Sequence, residues 1–203
     1  MKPLFIALEG LSCSGKTTVV GEVADALGAG HLPTIPDEYS VLRRCFDQVD
    51  ELDARFLCYL SAICRASRDI GRQLDAGRSV VVESYLARTV AFHRGMGSSA
   101  MVYLPELRQP DVSFHLTCAP AERHRRELGR GGSRHFWDEL AAKHEADILC
   151  EYRRFPLHQI DTTARVPRDV VDEILRHPLD GSCACEDTKP VAGHQDLLSA
   201  LSR

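Results

Sequence analysis

The sequence predicts an α/β fold, a parallel sheet with helices on both faces, and three observations carry that prediction. Short apolar or alternating runs at 4–8, 80–82, 111–117 and 157–161 are separated by longer stretches whose apolar residues recur at helical spacing. Strands joined by helices in this way are the pattern of parallel sheets, which need crossover connections. The first run passes directly into Gly10-Leu11-Ser12-Cys13-Ser14-Gly15-Lys16-Thr17, a glycine loop followed by helical periodicity. Finally, carboxylates close two of the strands, at Asp37-Glu38 and at Glu83, where ligands gather in open α/β sheets.

Taken in order, Leu4 to Leu8 reads as a strand buried on both faces, and Val19, Val20, Val23, Ala24 and Leu27 mark the helix after the loop. Gly28-Ala29-Gly30 ends that helix, and His31 to Ile35 is expected to be a second strand stopped by Pro36. Leu52 to Ala76 is one long helix ended by Gly77. Ser79 to Val82 is β-branched and ends in Glu83-Ser84-Tyr85. A helix over 86–95, a short helical piece before Pro110, a strand over 111–117 and a helix opening at Pro120 follow. A single helix is expected over 135–154, then a strand over 157–161 and a helix over 167–176 with Pro167 in its first turn. Residues 1–178 thus form one domain, and the polar stretch 179–203 is expected to be a flexible tail.

The chain has 203 residues, 44% hydrophobic and 27% charged, with a net charge of −4. That balance gives no global reason to bind nucleic acid or a membrane surface, and points to small anionic partners. No run of apolar residues is long enough to span a bilayer. Met1-Lys2-Pro3 enters the first strand directly, so a cytoplasmic protein without a signal peptide is expected. The eight cysteines fall mostly in the loop or in predicted elements, and reduced thiols are expected; Cys183-Ala184-Cys185 near His177 and His194 is a weak metal-clip pattern.

The chemistry sits on the glycine loop. Gly10, Ser12, Cys13, Ser14, Gly15, Lys16, Thr17 and Thr18 are candidates to bind a nucleoside triphosphate, its phosphates cradled by main-chain N–H groups at a helix N-terminus. Lys16 reaches the β- and γ-phosphates, and Thr17 with Glu83 can hold Mg²⁺. Glu38 and Glu83 are candidate catalytic carboxylates, either as bases or as acceptor contacts. Arg65, Tyr85 and Arg88 are candidate acceptor contacts. Arg123, Arg125, Arg126, Arg130 and Arg134 surround Gly129, Gly131 and Gly132, the composition of a lid over 123–135. Arginines on such a segment neutralise charge that spreads over a migrating phosphoryl group, so Arg126, Arg130 and Arg134 are catalytic candidates.

The order of these parts resembles the thymidylate kinase family of P-loop nucleoside and nucleotide kinases, over roughly residues 3–177. Phe5 to Thr18 is similar to the family's strand, Glu-Gly and Gly-Lys-Thr-Thr opening, and Ala76-Gly77-Arg78 into Glu83 resembles its Ala-Gly turn and Asp-Arg-Tyr strand end. The resemblance implies a three-layer sandwich with strand order 2-3-1-4-5, ATP and Mg²⁺ as cofactors, a small nucleoside or nucleotide acceptor, and a homodimer. Departures cluster at the acceptor side. Ser84 stands where the signature has an Arg that contacts the acceptor's phosphate, and Pro36-Asp37-Glu38 replaces Arg-Glu-Pro. Ala62 and Cys58 stand at the positions that read and stack on thymine. Glu38 with Glu83-Ser84 looks closer to deoxynucleoside kinases, whose acceptor is a hydroxyl. A phosphotransferase to a nucleoside, a nucleoside monophosphate or a similar acceptor is therefore expected. The rival is an ATP-binding regulatory or assembly protein without acceptor chemistry, separated from it by acceptor-dependent ATP turnover.

Overall fold

A computed structural model describes residues 2–130 and 136–178, with Arg130 described in its main chain only. The elements in chain order are β1 (Phe5–Glu9), α1 (Lys16–Leu27), β2 (Gly30–Leu32), α2 (Ser40–Asp47), α3 (Leu52–Asp75), β3 (Val80–Glu83) and α4 (Leu86–Gly95). Then come β4 (Val112–Thr117), α5 (Pro120–Arg130), α6 (Phe136–Lys143), α7 (Glu145–Tyr152), β5 (His158–Asp161) and α8 (Pro167–Arg176).

The five strands form one sheet in the order β2-β3-β1-β4-β5, and every neighbouring pair is parallel. β1 lies at the centre and all five of its residues are buried. Side chains alternate across a strand, so Ile6 and Leu8 face one way and Phe5 and Ala7 the other. Ile6, Leu8, Val81 and Phe114 pack with Val19, Val20 and Val23 of α1 and Val170 and Ile174 of α8. On the opposite face Phe5, Ala7, Val80 and Val82 pack with Ile63, Ile70 and Leu74 of α3 and with Tyr85. This is the three-layer sandwich and strand order that the resemblance implies. The same topology brings the carboxyl ends of β1, β3 and β4 side by side.

A third apolar cluster joins α4, α6 and α7 through Ala87, Ala91, Met96, Trp137, Ile148 and Tyr152. Gly95 allows that contact. A Cβ at Gly95 would lie 2.6 Å from the Ile148 Cα and main-chain nitrogen, and backbone cannot move aside cheaply, so Gly95→Ala is expected to cost about 1–3 kcal/mol or more.

The structure corrects several element boundaries. The second strand ends at Leu32 rather than Ile35, because Pro33 lacks the N–H that a further ladder bond needs. The residues Asp37–Tyr39 form a 3-10 turn that leads into α2, an element not expected above although Val41, Leu42, Cys45 and Phe46 recur at helical spacing; none of them is buried. The helical piece expected before Pro110 is absent; only a turn at 105–107 is formed. The helix expected over 135–154 is two helices, α6 and α7, interrupted at His144. Among the described residues all six cysteines are unpaired. The tail 179–203, with Cys183 and Cys185, lies outside the described residues.

Candidate active site

The glycine loop runs from the end of β1 to the start of α1. At Gly10 φ is +140°, and a Cβ there would collide with the Leu116 carbonyl oxygen of β4 and lie 2.9 Å from the Ser14 hydroxyl. Only glycine lets the loop turn this close to the sheet. Gly15 is the N-cap of α1 at φ +95° and supplies no capping side chain. The first-turn N–H groups and the helix's partial positive charge are thereby left for an anion. Lys16 is 5% exposed, and its Nζ donates to the Leu11 carbonyl at 2.7 Å and to the Ser14 hydroxyl at 3.4 Å. The Thr17 hydroxyl donates to Glu83 Oε1 at 2.9 Å. A hydroxyl beside a carboxylate is the hard oxygen set that suits Mg²⁺, which takes one or two protein ligands and completes its shell with phosphates and water. The loop and this pair fit a nucleoside triphosphate and its metal.

Two cavities meet at the end of β3. A cleft of about 100 Å³ follows the loop, and Ser12, Cys13, Gly15, Lys16 and Thr17 line it. A cavity of about 1040 Å³ opens beside it toward α2, α3 and α4. Glu83, Ser84 and Arg88 line both. Arg88 is anchored there: it donates to the Gly10 carbonyl at 2.9 Å and to the Ser12 hydroxyl at 3.5 Å, and its guanidinium lies 3.8 Å from the Phe92 ring centroid.

The far wall of the large cavity is built on Arg55 of α3. Its Nε donates to Asp47 Oδ1 at 2.9 Å and its Nη2 to the Tyr59 hydroxyl at 3.1 Å. The guanidinium lies 4.5 Å from the Tyr59 ring centroid and 4.6 Å from that of Trp137, contacts that reinforce a cation already held by its hydrogen bonds. His93 Nδ1 lies 2.7 Å from the Thr89 carbonyl, which can only accept, so this nitrogen carries the proton and Nε2 accepts from Arg55 Nη1 at 2.9 Å. Burial, aided by the charges of Arg55 and Arg88, pushes the His93 pKa down to about 3 and keeps the ring neutral. Arg43 reaches the other Asp47 oxygen at 3.4 Å, and Arg44 lines the same side of the cavity.

The residues expected from the sequence divide accordingly. Gly10, Ser12, Cys13, Ser14, Gly15, Lys16, Thr17, Glu83 and Arg88 converge, with Thr18 just behind in the first turn of α1. Glu38 and Arg65 do not reach the cavity lining. They pair with each other at 3.1 Å, Arg65 also holds Asp69 at 2.6 Å, and Asp37 faces the cavity instead. Tyr85 is core: its hydroxyl donates to the Arg108 carbonyl at 3.0 Å, its ring meets Phe5 edge-on, and burial pushes its pKa up to about 12. Arg126 is docked rather than swung out. It donates to the Thr162 carbonyl at 2.7 Å and hydroxyl at 3.2 Å, to the Cys13 carbonyl at 3.4 Å and to Glu122 at 2.9 Å. Residues 131–135, with Arg134, and the Arg130 side chain lie outside the described residues.

Sequence reasoning missed Glu9, Asp47, Arg55, Tyr59 and Thr162. Glu9 had a readable signal, an acidic residue closing an otherwise apolar central strand. Arg55 and Tyr59 are one helical turn apart on α3, a spacing visible in the sequence but indistinguishable there from a solvated face.

No family model matches the sequence, and no curated protein matches it. In three dimensions the chain is similar to thymidylate kinase from Candida albicans, with a TM-score of 0.70 and 17% identity, over 86% of this chain and 90% of that one. The chain therefore has a thymidylate kinase-like fold. Among the described residues no helix is long and apolar enough to cross a membrane.

Proposed function

We propose that the chain is an ATP-dependent phosphotransferase that moves the γ-phosphoryl group of Mg·ATP to a nucleoside, a nucleoside monophosphate or a similar small acceptor. The observation that carries this reading is the shared wall: Glu83, Ser84 and Arg88 border both the phosphate-loop cleft and the large cavity. A donor on the loop and an acceptor in the cavity would meet there, beside Lys16 and Thr17.

In this reading Lys16 and the first turn of α1 hold the β- and γ-phosphates. Thr17 and Glu83 hold Mg²⁺, which when bound neutralises phosphate oxygens and fixes their orientation. The acceptor oxygen forms a bond to the γ-phosphorus as the bond to the β-bridging oxygen breaks. The hydroxyl proton of a neutral acceptor passes to Glu83 or to water, and an ionised phosphate acceptor needs no base. Because Glu38 is occupied by Arg65, the base role rests on Glu83. Arg126 holds the loop, and Arg130 and Arg134 act on the charge that develops during transfer.

The test is ADP release across a panel of nucleosides, their monophosphates and small hydroxyl compounds, with Lys16→Met as the control. Acceptor-dependent turnover that Lys16→Met abolishes is expected. ATP binding without acceptor-dependent turnover would show a regulatory or assembly protein instead. Lys16→Met also strips a buried donor from the Leu11 carbonyl, so a loss of about 1–3 kcal/mol of stability is expected with the fold retained.

A further inference from the structure

Among the described residues Glu9 is the one buried carboxylate next to the phosphate loop, and the roles assigned so far leave it unused. It is 1% exposed, at the carboxyl end of the central strand. Its two oxygens accept from main-chain donors of another element, Oε1 from the Tyr85 N–H at 3.1 Å and Oε2 from the Arg88 N–H at 3.0 Å. Tyr85 is the N-cap of α4 and makes no side-chain cap, so Glu9 caps this helix from β1. The helix so held carries Arg88, which in turn donates to Gly10, the residue after Glu9. Strand, loop and helix form a closed circuit of three hydrogen bonds around the point where the two cavities meet.

Building on the phosphotransferase reading, we infer that Glu9 is a positioning residue: its carboxylate grips the first turn of α4 and thereby fixes Arg88 at the junction of the donor and acceptor sites. Protonation weakens that grip, because a carboxyl group has one oxygen that donates instead of accepting. Desolvation pushes the Glu9 pKa up to about 7, against the pull of the Arg88 and Lys16 charges and of the two N–H donors. Three of the groups that face it are pushed away from this range. His115, its register partner on β4, is kept neutral because burial and Lys16 push its pKa down to about 4. The Tyr152 phenol of α7 stacks on His115 and is pushed well above its ordinary range by burial. Lys16 of α1 and Arg88 of α4 also face it, and burial pushes the Tyr85 phenol up to about 12. Glu9 is therefore the group of this cluster whose shift brings it toward neutrality.

The experiment compares wild type with Glu9→Gln, which keeps shape and one accepting oxygen but turns an NH₂ group toward the second N–H. Wild-type kcat/KM is expected to fall below pH 7. Glu9→Gln is expected to lose roughly ten- to a hundred-fold at pH 8 and to show no acid limb near 7. A variant with wild-type turnover and the same acid limb would overturn the inference. In parallel, the Tyr85 and Arg88 amide resonances of the wild-type protein are followed against pH, which needs neither a variant nor an acceptor. A shared midpoint near 7 supports the clamp, and amides that do not move between pH 5.5 and 8.5 exclude it. Were no acceptor turned over, the phosphotransferase reading would fall while the amide titration still decided what Glu9 holds.

Discussion

The Thr17 hydroxyl and the Glu83 carboxylate are hydrogen-bonded at 2.9 Å, which joins the helix after the phosphate loop to the end of the neighbouring strand β3. Residues 66 positions apart are thus brought within one ligand's reach. If they share a metal, Glu83→Gln keeps the hydrogen bond but removes the charge. Turnover is then expected to fall by about a hundred-fold, and the Mg²⁺ concentration for half activation to rise. Thr17→Val combined with Glu83→Gln should be non-additive, with a coupling of about 0.5–3 kcal/mol. Strictly additive losses in a double-mutant cycle would mean that the two residues act separately.

Arg126 is expected to affect donor binding more than chemistry. It ties the loop at Cys13 to Thr162, and the Thr162 hydroxyl also lies 3.0 Å from the Ser14 carbonyl. Arg126→Ala should therefore weaken ATP binding by about ten-fold, since it frees the loop and the β5–α8 connection together. Arg130→Ala and Arg134→Ala should instead lower kcat more than ATP affinity, as expected of charges that act on the transferring group. Calorimetric ATP affinity beside kcat separates the two patterns. Unchanged ATP affinity in Arg126→Ala would remove its assignment as a loop tie.

Much of this site was legible in the sequence because its parts are local. Gly10 to Thr17 needs only a strand before it and a helix after it, and both follow from short-range periodicity. Glu83 was legible as the last residue of a β-branched strand. What could not be read were long-range partnerships. The pairing of Glu38, in the 3-10 turn before α2, with Arg65 of α3 keeps a candidate base out of the cavity lining. Arg55, Asp47 and His93 come from three helices, so no spacing within one of them announces the wall they form. The wall of the large cavity is built from tertiary contacts, and the glycine loop from a motif.

His115 and His93 give the fold an acid sensitivity whose sign is fixed. Both are held neutral, with His115 pushed from the ordinary 6.5 to about 4 chiefly by burial. The unfolded chain therefore binds a proton that the folded chain refuses, and stability is lost as pH falls from about 6.5 toward 4. Glu9 acts oppositely, since its raised pKa favours the folded state in acid and costs stability as pH rises from 4.5 through 7. Comparing His115→Phe with wild type cancels the Glu9 contribution. The variant keeps the stacking on Tyr152, whose ring centroid lies 4.4 Å away, and removes the buried Nε2 that has no hydrogen-bond partner among the described residues. Its thermal midpoint should match or exceed wild type at pH 7 and fall less by pH 5, with a difference of about 1–2 kcal/mol. Parallel curves for the two proteins would show that His115 does not titrate across this window.

The last prediction concerns the acceptor, for which a neutral hydroxyl compound is expected to be a better substrate than its monophosphate. Ser84 supplies no cation at the junction. Arg65 is taken up by Glu38 and Asp69, and Arg88 by the Gly10 carbonyl. Arg55 and Arg43 share Asp47 on the far wall. A dianionic phosphate brought beside Glu83 would meet like charge in a partly desolvated cleft, at a penalty of order 1–4 kcal/mol without a bidentate arginine. The measurement is kcat/KM for matched nucleoside and monophosphate pairs. A preference for the monophosphate of ten-fold or more, about 1.4 kcal/mol, would reverse the conclusion. Arg44→Ala then identifies the cause, because Arg44 lines the cavity from α2 and carries no ion pair among the described residues. If the preference disappears in that variant, the cation missing at Ser84 is supplied by Arg44; if it persists, another arginine of the cavity wall, Arg43, Arg55 or Arg88, meets the phosphate.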